Sequence, residues 1–121
     1  MTIANQIMSM KPGMELDEEI ATVILDIIGT IDIEGELGQY RSYSSDPLAA
    51  INLWEFASRA FAPVALINYG DIPSQISHYC SIKDEEDEEA FVAVMTRNWM
   101  ESLSKAFLLY YNNLYGDYDL Q

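Results

Sequence analysis

A chain of 121 residues with 20 acidic and 6 basic side chains, a formal net charge of −14 and 50% hydrophobic residues excludes several classes of protein at once. An acidic disordered tail lacks that much apolar surface, so the charge belongs to a folded body. Negative charge spread over the surface disfavours binding to nucleic-acid phosphate or to an anionic membrane.

The length suits a single domain, residues 1–121, large enough to bury roughly two thirds of the surface its unfolded chain exposes. Both halves share the charge, with ten acids and three bases in residues 1–60 and the same again in 61–121. Cys80 is the single cysteine, which leaves no internal disulfide framework and no thiolate cluster for zinc and suits a reducing compartment. Met1 to Met10 has no basic start and no sustained apolar core, and no stretch approaches the roughly 20 apolar residues of a membrane span. The expected location is the cytoplasm, with no membrane partner.

Residues 1–11 read as a flexible lead, and Lys11-Pro12-Gly13 punctuates the start of regular structure. Leu16, Ile20, Val23, Ile24, Ile27 and Ile28 recur at spacings of three and four, behind an opening turn rich in Glu15, Asp17, Glu18 and Glu19. Negative charge is favoured there by the helix dipole, so the pattern predicts an amphipathic helix over 15–29 with Gly29 as its C-cap. Residues 30–43 read as an acidic loop.

Ser44-Ser45-Asp46-Pro47 is the sharpest local signal. Asp46 is suited to cap the free amides of a helix whose first residue is Pro47, since proline there gives up no needed hydrogen bond. This second helix is expected over 47–61, burying Ala50, Leu53, Trp54, Ala57, Ala60 and Phe61, with Pro63 as its stop. Val64 to Tyr69 is short and apolar, and Gln75 to Ile82 alternates with Ile76, His78, Cys80 and Ile82 on one side. Together they predict an antiparallel hairpin. The six-acid run Asp84 to Glu89 then reads as the loop and first turn of a long third helix over 87–113. Its stripe would be Phe91, Met95, Trp99, Leu103, Ala106 and Tyr110, and residues 115–121 would be a frayed tail. The fold class is therefore α+β: one small domain with two helices, a short antiparallel hairpin or sheet, and a long C-terminal helix.

Three segments resemble, in order along residues 12–110, the small phage and prophage proteins called the phage alpha-beta-alpha sandwich domain family. They are Glu15-Leu16-Asp17, Tyr43-Ser44-Ser45-Asp46 ahead of Ala49-Ala50 and Trp54-Glu55, and Ser104-Lys105-Ala106-Phe107-Leu108. Met14 and Lys105 stand where that family usually has arginines. The resemblance implies a phage setting more firmly than it implies an activity.

No catalytic constellation emerges. His78 and Cys80 lie two apart on a strand without further sulfur or nitrogen ligands nearby, which suits a buried pair better than zinc or a nucleophile. The acidic run lacks the ligand spacing and central glycine of an EF-hand loop. Tyr110, Tyr111, Tyr115 and Tyr118 suit helix packing or, alternatively, a contact surface. The expected protein is thus a non-enzymatic phage inhibitor, with no cofactor or metal, as a monomer or homodimer. Its partner would be a basic host protein, a nucleic-acid-binding component of CRISPR or another antiviral system. Glu85, Glu86, Asp87, Glu88 and Glu89 would imitate backbone phosphates, with Asp32, Glu34 and Glu36 as a second patch. The alternatives are a phage protein that sequesters a nucleotide or other small ligand, which needs Arg41, Arg59 and Arg97 to converge, and an accessory phage component without a defence target.

Overall fold

The chain is already helical near its start: α1 spans Ile3–Ser9, where a flexible lead was expected. A helix this short is marginal by itself in water, and it is held because Ile7 is fully buried in the core. The computed structural model describes residues 3–28, 42–70, 77–84, 86 and 91–114, the side chains of Leu25 and Ile28 apart.

Helix α2 (Met14–Ile28) follows the predicted stripe, with Leu16, Ile20, Val23 and Ile24 fully buried. Gly13 precedes it at φ 138°, a conformation open to glycine and strained for other residues. Gly29 and residues 30–41 of the expected loop lie outside the described residues.

Helix α3 (Pro47–Ala60) begins as the sequence predicts. The Asp46 side chain accepts a hydrogen bond from Leu48 N at 3.3 Å, and Pro47 occupies the first turn. Its buried face is shifted from the expected one. Ala49, Ala50, Leu53, Phe56 and Ala57 are buried, Trp54 and Phe61 are half-buried, and Ala60 is exposed.

Strands β1 (Val64–Tyr69) and β2 (Ser77–Lys83) pair antiparallel, placing Leu66 opposite Cys80 and Asn68 opposite His78. The expected helix over 87–113 is corrected at its beginning. Phe91–Thr96 forms β3, which pairs antiparallel with β2, and only Trp99–Leu114 is helical, as α4. Phe91, Met95 and Trp99 are four apart and imitate a helical stripe, but Val92 and Val94 are the residues that turn inward. Pairing with β2 satisfies the backbone of a segment rich in β-branched residues, and that long-range gain overrides the local period.

The result is a mixed α+β domain. Its three-stranded sheet, in order β1-β2-β3, is covered on one face by helices. Helix α4 lies against β2 and β3 and also meets α1, α2 and α3. It is consequently buried on nearly every side, including Ser102, Ser104 and Lys105. Phe107 sits at the centre, its ring centroid 6.1 Å from that of Phe56 and 5.2 Å from that of Phe61, with Phe61 5.1 Å from Tyr110. Tyr110 and Tyr111 are packing residues, and Tyr111 Oη donates to the Asp26 carboxylate.

Two further polar ties hold the helical layer together. Asp17 Oδ1 is buried and accepts from both Ser44 N (2.8 Å) and Ser44 Oγ (2.7 Å), while Ser44 Oγ accepts from Gly13 N (2.8 Å). Lys105 Nζ reaches Met8 O at 2.9 Å and Glu101 Oε2 at 2.6 Å, so this buried cation fastens the end of α1 to α4.

Candidate functional site

Of the eight carboxylates expected to meet a partner, Glu86 is described and exposed, its backbone N–H donating to Asp84 Oδ1 at 2.9 Å. Glu85, Asp87, Glu88 and Glu89 lie outside the described residues, as do Asp32, Glu34 and Glu36. The run does not lead into a helix. In chain order it joins β2 to β3.

A second set of carboxylates occupies α2. Glu15, Glu18 and Asp26 are exposed and Glu19 is half-buried. They recur at intervals of three, four and seven to eight, along one side of the helix over about 16 Å of axis. Partial burial raises the Glu19 pKa above its ordinary value, and the neighbouring Glu15 and Glu18 carboxylates raise it further. The sequence reading took Glu15, Glu18 and Glu19 only as helix-dipole partners and gave Asp26 no role. Their alignment on one face was available from the 3.6-residue period.

Few cations offset this face. Lys105 directs its charge into the core, and Arg59, at the end of α3, lies 3.8 Å from Glu55. Two open hollows share Ile51 and Trp54. One, of about 570 Å³, is lined also by Glu55, Ser58 and Arg59; the other, of about 330 Å³, by Leu66, Asn68, His78 and Trp99. Arg97 lines neither, and Arg41 lies outside the described residues. The convergence of Arg41, Arg59 and Arg97 that nucleotide sequestration requires is therefore not seen among the described residues.

His78 and Cys80 share a strand face but have different surroundings. His78 is half-buried, with Nδ1 2.7 Å from Asn68 Oδ1, whereas Cys80 is fully buried. Among the described residues no three His, Cys, Asp or Glu side chains stand together where they would hold a metal ion. Burial pushes the Cys80 thiol from 9.0 up to about 12. Iodoacetamide at mildly alkaline pH should therefore label Cys80 in the unfolded chain and leave it unlabelled in the native one, because the thiolate is the reactive form. Equal labelling rates would contradict the burial. The unfolded chain loses this proton first as pH rises, so Cys80 lowers stability progressively between pH 9.0 and about 12.

The sheet face turned away from the helices is the largest feature that the sequence reading missed. Ala65, Ile67 and Tyr69 of β1 and Phe91, Ala93 and Met95 of β3 are exposed there, flanking half-buried Ser77, Tyr79 and Ser81 of β2. Reading 91–96 as helix hid it, since alternation along β3 is what separates Phe91, Ala93 and Met95 from Val92 and Val94. Among the described residues no helix is long and apolar enough to cross a membrane. Comparison with protein-family models, with curated proteins and with solved structures found no match to this chain.

Proposed function

We propose that this protein is an acidic, non-enzymatic inhibitor that occupies a basic, nucleic-acid-binding surface of a host protein. The phage resemblance makes a component of CRISPR or another antiviral system the natural target. The observation that carries this reading is the disposition of charge. Glu15, Glu18 and Asp26 of α2 stand exposed along one side of the helix with Glu19 half-buried beside them, while Lys105 is buried and Arg59 lies beside Glu55. Carboxylates about one helical turn apart offer a basic groove a spacing close to that of successive phosphates, and such complementarity accelerates encounter. The 84–89 run adds to the same field.

The test is competition. Added protein should displace labelled nucleic acid from the basic partner, and its affinity should fall steeply between about 0.05 and 0.5 M salt, as the Debye length contracts severalfold. Displacement of equal strength at both salt concentrations would remove electrostatic mimicry.

A further inference from the structure

We propose that the sheet face turned away from the helices is a self-association surface, through which two copies pack sheet on sheet with their helices outward. The inference stands independently of the acidic reading.

The face is apolar and open. Ile67 retains 44% of its accessible surface, Tyr69 49%, Phe91 44% and Met95 52%; Ile67, Tyr69 and Met95 gather around Tyr79 on one pleated surface, with Phe91 at its far corner beside Ala93. Tyr69 and Tyr79 already meet edge to face, with centroids 6.1 Å apart at 85°, so part of the contact surface is ordered before any partner arrives.

Charge selects the occupant. The outward positions of the three strands are Ala65, Ile67, Tyr69, Ser77, Tyr79, Ser81, Lys83, Phe91, Ala93 and Met95, a set without a single acid in a chain that has 20. A basic partner gains nothing from such a face. A second copy, repelled at any acidic face, can approach this one.

Shape agrees with a two-fold arrangement. Four outward rows cross the sheet in order: Tyr69 with Ser77; Ile67, Tyr79 and Met95; Ala65, Ser81 and Ala93; and Lys83 with Phe91. An in-plane two-fold axis along the Ile67–Tyr79–Met95 row lays Tyr69 of each copy over the small Ala65 of the other, a self-complementary contact with Phe91 at its margin. Strands of six, seven and six residues cover roughly 20 by 14 Å. This footprint is smaller than the ~800 Å² per partner of a standard interface. The dimer is accordingly weak and reversible, favoured by salt that screens the repulsion between the acidic bodies.

Sedimentation equilibrium of the full chain over a wide concentration range, at low and high salt, provides the test. The wild-type mass should rise from one copy toward two, sooner at high salt. Met95→Glu and Ile67→Lys, both at exposed positions, should keep the native circular dichroism spectrum and weaken association by at least about tenfold. Should one variant fail to fold, the other decides. A strictly monomeric wild type would overturn the proposal and leave the face to another partner. A dimer unaffected by the folded variants would also overturn it, assigning association to a sheet edge or to the helical side.

Discussion

Replacing Asp17 by alanine should lower the stability of the domain by about 3 kcal/mol, because hydrogen bonds to a charged acceptor contribute most when buried and their loss strands the donors. Asp17 Oδ1 receives both Ser44 N and Ser44 Oγ, and Ser44 Oγ in turn receives Gly13 N. One carboxylate thus joins the start of α2 to the turn that leads into α3. Beyond it, Asn98 Nδ2 reaches Ser44 O at a long 3.5 Å, while Asn98 Oδ1 accepts from Met100 N at 3.0 Å in the first turn of α4. Alanine leaves the buried Ser44 N–H without its acceptor in a domain whose total stability is of the order of 5–15 kcal/mol. Asp17→Asn keeps an acceptor oxygen and should cost about half as much. Ser44→Ala should fall between them, and the Asp17→Ala/Ser44→Ala double variant should cost much less than the sum, since both remove one network. Urea denaturation measures all four. Additive losses, or an Asp17→Ala cost under about 0.5 kcal/mol, would show that the two side chains do not act together.

Neutralising Glu85, Glu86 and Asp87 to Gln, Gln and Asn should leave the domain folded and abolish most of its binding. Glu86 is exposed and the run joins two strands that are already paired to each other in the sheet, and exposed positions usually shift stability by no more than about 0.5 kcal/mol each. Removing several charges that face a basic groove can cost several kcal/mol of binding. The same substitutions applied to Glu15 and Glu18 on α2 compare the two acidic surfaces directly. Loss of binding in the α2 variant alone would move the contact to that helix. Full binding by both folded variants would remove carboxylates from the recognition mechanism altogether.

What was legible in the residues follows the reach of each signal. The Asp46-Pro47 start of α3, the stripe of α2, the limits of β1 and its antiparallel pairing with β2 all rest on interactions within a few residues or across one short connection. Capping, periodicity and turn chemistry act at that range; periodicity also marked the C-terminal helix, with a start at 87 where α4 begins at Trp99. The acidic surface was legible as charge, and the face of α2 that displays it follows from the 3.6-residue period.

Long-range packing decided the rest. Strand β3 carries a four-residue spacing that reads as helix until β2 lies beside it; then Val92 and Val94 enter the core and Phe91 and Met95 face outward. Helix α1 is too short to persist without the core that receives Ile7. Lys105 is an ordinary helical lysine until Met8 O, 97 positions away in the chain, accepts from its ammonium. Asp17 resembled other first-turn acids until Ser44, 27 residues on, folded against it. By itself, the sequence determined composition, charge and the elements that short-range forces specify. Tertiary structure alone decided that Phe91–Thr96 is a strand and that Asp17 and Lys105 are buried beside distant partners, because those outcomes depend on contacts between residues far apart in the chain, whose ordering cost only the assembled core repays.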